Sequence, residues 1–368
     1  MNHINDCFSD SYQSARSRFL AAAAGCGLPL RTFEHPLPGK DGETLALDVV
    51  QDGAADADRL LIVSSACHGV EGFCGSGVQV HALRDAALRE AACAQGVTLL
   101  YLHALNPHGF SHLRRVTNEN VDLNRNFQDF SQPLPPNPAY RALHDLLLPE
   151  TWPPDAANQF AIGQYLATHG MAAFQAAVTA GQYEFADGLF FGGHGPTWSQ
   201  TTLRQVLRQF CGKASRIGWI DLHTGLGPSG VGERIFAGKG NTPALQRARQ
   251  WWGNDGVTPI TSVEDGSSSS ANLSGLMWTA LQQECPQAEY TGIALEYGTV
   301  PLAQVIHALR ADHWLHRHPD AAPQLAAQIH QQMRAAFYGD SDQWRQQIIA
   351  QAQQVLMQAV AGLSNVFC

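Results

Sequence analysis

In the segment SSACHGVEGFCGSG, His68 and Glu71 stand three positions apart in a glycine-rich turn that follows an apolar run. An imidazole nitrogen and a carboxylate oxygen so spaced on a tight loop can turn toward one point, and that pair suits zinc. Two protein ligands leave a catalytic zinc one short. The segment WIDLHTG supplies His223 at the end of another apolar run, completing a His2Glu set with an open fourth position. The HxxE spacing alone is common by chance. Position gives it weight: all three residues follow predicted strands, and open α/β sheets place their ligands beyond strand ends.

The elements that must position these residues are legible as short apolar segments closed by turns. Strands are predicted over 44–50, 59–66 and 97–106, with a helix over 78–94, and further strands over 216–225, 233–238 and 291–299. That alternation predicts an α/β fold with a sheet covered on both faces. Between about 128 and 203 the composition changes to proline-rich turns (PLPPNP, TWPPD) and the helix-like pieces YRALHDLLL and AIGQYLATHGMAAFQAAVTAG, read as an insertion packed beside the sheet. The stretch GSSSSANLSG (266–275) reads as a mobile loop, and the chain from about 302 reads as successive helices. The whole of 1–368 is expected to form one catalytic domain, without internal repeats.

Composition narrows the partners. With 368 residues, 45% hydrophobic and 15% charged, the chain can bury a full core. Its 23 Lys and Arg against 32 Asp and Glu give a net charge of -9, which argues against nucleic acid or an anionic membrane as partner. No run reaches the roughly 20 apolar residues that span a bilayer. The start of the chain fits a helix better than a signal peptide. Eight dispersed cysteines (Cys7, Cys26, Cys67, Cys74, Cys93, Cys211, Cys285, Cys368) contain no CxxC, so reduced thiols in a cytoplasm are expected.

Other chemistry finds less support. The G-x-S-x-G pentad of a serine hydrolase is absent. Cys67 and Cys74 flank the zinc loop, but Cys67 reads as a buried strand residue rather than a nucleophile. GFCGSGVQV lacks the GK[ST] ending of a phosphate loop. His313, His316 and His318, in ADHWLHRHPD, have no evident Cys or carboxylate partners and read as a solvated helix end.

Four ordered blocks, CHGVEG, NPHGFSHLRRVTNENVDLNRNF, DLHTGLG and ALEYGT, resemble the zinc carboxypeptidase (M14-type) superfamily, and within it the bacterial DUF2817-type branch. They span residues 67 to 299, and their joint order is more specific than any one block. The resemblance implies a three-layer α/β/α fold around a mixed, mostly parallel sheet. It implies one Zn2+ per chain held by His68, Glu71 and His223, with Glu296 as the general base and then the acid for the leaving amine. It further implies that Asn124 and Arg125 bind a substrate carboxylate, that Asp122 accepts from the far ring nitrogen of His68, and that Arg115 stabilises the oxyanion. Arg114 is an adjacent alternative to Arg115.

Two departures from the family pattern matter. True carboxypeptidases carry a mobile tyrosine upstream of the catalytic glutamate, whereas here that stretch reads SSSSANLSG. The segment from about 128 to 203 is an insertion that can wall the cleft; its His194 is expected to be a turn residue. The expected activity is hydrolysis of an amide bond near a free carboxylate, in a small peptide or an N-acyl amino acid. A deacylase is the first alternative, and a catalytically silent protein that binds metal and carboxylate is the alternative of another class.

Overall fold

The computed structural model describes residues 4–240, 242–253 and 258–364. Its strands are β1 (Leu30–Pro38), β2 (Thr44–Asp52), β3 (Arg59–Ser64), β4 (Val97–His103), β5 (Arg216–Ser229), β6 (Gly232–Phe236), β7 (Ile260–Thr261) and β8 (Glu289–Gly298). They form one eight-stranded mixed sheet in the order β1, β2, β4, β3, β5, β8, β6, β7. The centre, where β4, β3, β5 and β8 lie side by side, is parallel. The pairs β1 with β2, β2 with β4, and β6 with β8 are antiparallel.

A central parallel strand must bury both faces, and β3 does so with RLLIVS, apolar at four consecutive positions. Leu60 and Ile62 enter one core with Trp219, Met277 and Tyr290, while Leu61 and Val63 enter another. The helices Gly72–Arg84 and Asp342–Ser364 contribute to the second core, and the helix Trp198–Cys211 to the first. The fold is therefore three-layered α/β/α, as expected.

Local capping explains where the sequence expectations and the structure part. The helix expected over 78–94 is two helices, Gly72–Arg84 and Ala86–Ala94, because extended Asp85 accepts from the amides of Ala87 and Leu88 and starts a new helix. β4 stops at His103 rather than 106, since Asn106 caps the short helix Pro107–Ser111 by accepting from Gly109 N–H at 2.9 Å. The helix of the insertion, Ala156–Thr179, is kinked at Gly170, where φ is +79°. The boundary at 203 falls inside Trp198–Cys211, whose Leu203, Val206 and Leu207 pack on the sheet.

The chain ends in the helices Leu302–Arg317, Pro323–Phe337 and Asp342–Ser364. His313 is buried in the first of these, not solvated, while His316 beside it is exposed. Seven of the cysteines are free thiols, and Cys368 lies outside the described residues. No helix among the described residues is long and apolar enough to cross a membrane.

Candidate metal centre and cleft

His68 leaves the end of β3 on a loop that must approach its neighbour closely. A Cβ at Gly69 would collide with the backbone of Gly109 and Phe110. The close approach lets Gly69 N–H and Val70 N–H donate to the carbonyls of Arg115 and Arg114, at 3.0 and 2.9 Å. A short turn, Gly69–Glu71, then carries Glu71 back under His68. This stitching also sets Arg115 over the same loop.

The three expected ligands converge. His68 Nδ1 lies 2.9 Å from Glu71 Oε1, His223 Nδ1 lies 3.1 Å from Glu71 Oε2, and the two Nδ1 atoms are 3.3 Å apart. All three side chains are buried, and Thr224 N–H donates to Glu71 Oε2. Each far ring nitrogen meets a carboxylate: His68 Nε2 is 3.1 Å from Asp122 Oδ1, and His223 Nε2 is 2.5 Å from Asp221 Oδ2. Such backing turns the Nδ1 lone pairs toward the shared point, where lone pairs and a carboxylate crowd together as they do around a cation.

The electrostatics agree with that crowding. Burial opposes charge on His223, yet Asp221 and Glu71 hold its imidazole well above the usual range, so its surroundings favour positive charge. Burial would likewise raise Glu71, but His68, His223 and Arg115 hold its carboxyl below the ordinary value. Asp122 is held well below the carboxylate range: burial is outweighed by Arg115, His68 and Arg125. Cys67 also comes near Asp221 and His223, but burial pushes its thiol well above the usual value. A thiol kept protonated is neither a ready ligand nor a nucleophile.

Glu296 sits on β8 as the direct register partner of His223 on β5. Leu226 N–H donates to its Oε1 at 3.0 Å, and burial, followed by the negative charge of Glu71, pushes its carboxyl up to about 8. Arg115 donates to Glu71 Oε1 at 2.8 Å and Asp122 Oδ2 at 3.1 Å, and its Nη2 lies 2.8 Å from His68 Nε2. Its neighbour Arg114 points elsewhere, to Asp312 at 3.0 Å and Asn120 at 3.2 Å. Asn124 Oδ1 accepts from Met277 N–H, and the residue lines the cleft. Arg125 donates to the carbonyls of Thr179, through Nε and Nη2, and of Asn124, through Nη1.

His68, Arg115, Asn124, Arg125, His223 and Glu296 all line one cleft of about 1100 Å³, open mouth included. The segment 128–203 supplies part of its wall, with Phe190 lying 5.3 Å below the Arg115 guanidinium and 5.7 Å from that of Arg125. Ser270, Ala271 and Leu273 bring the tyrosine-free loop to the same cleft. His194 bonds the Tyr183 carbonyl at 2.9 Å as an exposed turn residue.

Two participants escaped the sequence reading. Asp221 had a signal, because in DLH the aspartate and His223 are two apart on a strand and so share a face. Phe190 had none, being delivered by a segment without regular patterning.

The model of the family described as DUF2817, a protein family of unknown function, matches residues 8–351. The chain belongs to the DUF2817 family. This DUF2817 chain is similar in structure to a candidate metallopeptidase from Shewanella amazonensis, with 16% identity over 83% of this chain and 92% of that one, at a TM-score of 0.41. Bovine thrombin-activatable fibrinolysis inhibitor, in complex with tick carboxypeptidase inhibitor, matches at 10% identity over 89% of this chain and 96% of that one, TM-score 0.47. A metallo-carboxypeptidase from Burkholderia cenocepacia matches at 11% identity over 88% and 67%, TM-score 0.37. Among curated proteins, no sequence matches this DUF2817 member significantly.

Proposed function

We propose that this chain is a zinc-dependent hydrolase that cleaves an amide bond, peptide or N-acyl, close to a free carboxylate. The observation that carries the reading is the convergence of His68 Nδ1, His223 Nδ1 and Glu71 on one buried point, with Glu296 on the adjacent strand. Two imidazoles, each backed by a carboxylate, and one glutamate make a donor set that suits one zinc per chain and leaves a position open. When bound, zinc supplies a Lewis acid for the scissile carbonyl and makes water more acidic.

The chain's own residues divide the remaining work. Glu296, held by Leu226 N–H, has its carboxyl pushed up to about 8 by burial in the metal-free chain; a cation at the neighbouring site would favour its ionised form, which is suited to take a proton from water and pass it to the leaving amine. Arg115, its plane set by Phe190, offers charge to a developing oxyanion. Asn124 presents its amide NH2 to a substrate carboxylate. Arg125, anchored by three bonds to backbone carbonyls and with Nη1 4.0 Å from Asp122 Oδ1, lines the same cleft and would offer its charge to that carboxylate. The sheet, the segment 128–203 and the terminal helices act together as one catalytic unit.

The substrate is a small peptide or an N-acyl amino acid; the deacylase reading differs from the peptidase reading only in the acyl side. A silent binding protein has no use for a buried carboxylate poised near its protonation point. The test is a metal assay followed by a screen of short peptides and N-acyl amino acids, with Glu296→Gln as control. Zinc-loaded parent without turnover on either substrate class, at parity with the control, would refute the hydrolase reading.

A further inference from the structure

The cleft continues below the proposed metal centre along one face of the sheet. On β8 the residues Glu296, Ala294, Gly292 and Tyr290 share that face, because successive side chains on a strand alternate. Their register partners on β5 are His223, Asp221, Trp219 and Ile217. At roughly 3.3 Å per residue, the step from Glu296 to Gly292 descends about 13 Å. The small side chain of Ala294 leaves room in that descent that a larger one would fill, while the space over Gly292 is taken by the ring of Tyr290. Trp219, Met277 and Trp278 wall the space with apolar surface.

Tyr290 closes the foot of this space. Its ring leans along β8 over Gly292, where a Cβ would collide with the phenolic oxygen. The residue is 6% exposed and lines the cleft, yet its hydroxyl has no hydrogen-bond partner among the described residues. The hydroxyls of Tyr101 and Tyr140 also lack partners, but neither lies on this cleft. The polar atoms beside Tyr290 are otherwise engaged. Asp221 accepts from His223 Nε2 and from Ser64 Oγ at 2.5 Å, and Ser64 Oγ in turn accepts from Trp219 Nε1 at 2.7 Å.

A buried hydroxyl without a partner is costly, and a ligand that supplies one recovers that cost. We propose that this pocket takes a substrate side chain with an aromatic or long apolar body and a neutral hydrogen-bonding tip, and that the Tyr290 hydroxyl selects for the tip. A charged tip is disfavoured, since among the described residues the charged groups near Tyr290 are engaged, Asp221 by His223 and Ser64 and Arg247 by Glu289, and an unpaired charge in an apolar pocket is expensive. A site built to bond a hydroxyl rejects the analogue that lacks it, because its own polar group is then left unpaired.

The inference rests on the hydrolase reading only in placing the scissile amide at the metal. It is therefore tested by binding rather than turnover. N-acetyl-L-tyrosine and N-acetyl-L-phenylalanine, which differ by one hydroxyl, are titrated calorimetrically into the zinc-loaded full chain and its Tyr290→Phe variant. The parent is expected to favour the tyrosine ligand by at least about 10-fold, with the preference falling to within about twofold in the variant. Gly292→Ala, which displaces the phenolic oxygen, should also lose the preference. It serves in place of Tyr290→Phe should that variant fail to fold. Equal binding of both ligands by the parent, no binding of either, or a preference that survives these substitutions would overturn the proposal. Absence of amide hydrolysis alongside an intact preference would count against the hydrolase reading and leave the pocket assignment standing.

Discussion

His223 and Glu296 are direct register partners on the parallel strands β5 and β8, so their side chains rise from the same face at the same level. The proposed metal ligand His223 and the proposed proton carrier Glu296 thus sit on adjacent rigid strands, whereas His68 and Glu71 come from the loop and turn after β3; the separation of His223 from Glu296 is set by sheet spacing. The same pairing places Asp221 level with Ala294, one side-chain layer below.

The purified chain should carry about one zinc, and His68→Ala or His223→Ala should lower its zinc content sharply, since each removes one of three protein ligands. Elemental analysis of the dialysed proteins measures it. Undiminished zinc in both variants would defeat the assignment.

Asp122→Ala and Asp221→Asn should each weaken zinc affinity by on the order of 10- to 100-fold while the fold persists, because each removes the acceptor that orients a ligand imidazole. Asp221 lies 2.5 Å from His223 Nε2 and Asp122 lies 3.1 Å from His68 Nε2, so the effects should be comparable. Competition with a chelator gives the affinities. Parent-like affinity in either variant would reduce that aspartate to a structural role.

These residues also show how far the sequence reaches. The proposed ligand set was legible because His68 and Glu71 come shortly after the apolar run RLLIVS of β3, while His223 stands within β5 directly after the run RIGWIDL. β1 was not anticipated: Leu30–Pro38 is an edge strand, mostly exposed, and carries no clean alternation. β7 is two residues long, below the length at which a period can be read. The extra break at Asp85 depends on a side-chain cap competing with helix continuation, which periodicity does not register. The contributions of Thr179 and Phe190 to the arginine pair are tertiary contacts of a segment whose local pattern says nothing about where it docks.

Arg125→Ala should raise KM for substrates with a free carboxylate far more than for their amidated analogues, as a lost charge-assisted contact to the ground state does. Because the guanidinium also bonds the carbonyls of Thr179 and Asn124, the same variant should melt at a lower temperature. Steady-state kinetics on paired substrates and a thermal melt separate the two effects. A lower melting temperature with an unchanged KM ratio would make Arg125 a brace only.

Glu296→Gln should lower kcat by at least about 10²-fold at unchanged zinc content, because it removes proton transfer and spares the ligands. Normal turnover in the variant would remove Glu296 from the mechanism.

The last prediction concerns the metal-stripped chain and the pH dependence of its stability. Burial and the neighbouring charge of Glu71 raise the Glu296 carboxyl from the ordinary 4.5 to about 8 in the folded protein. Between those values the folded state keeps a proton that the unfolded state releases, so unfolding is favoured as pH rises. The contribution of this group is fully present below about pH 4.5 and is lost as pH climbs through about 8. Glutamine cannot ionise and has no such dependence. With chelator present, the melting temperature of Glu296→Gln should therefore gain on that of the parent as pH rises across this window, and the gain should level off above it. Zinc should shrink the difference, since a cation beside Glu296 stabilises its charged form. A gap between parent and variant that stays constant with pH in the stripped protein would show that Glu296 is ionised at neutral pH without penalty, and would remove the physical basis for its poise as a proton acceptor.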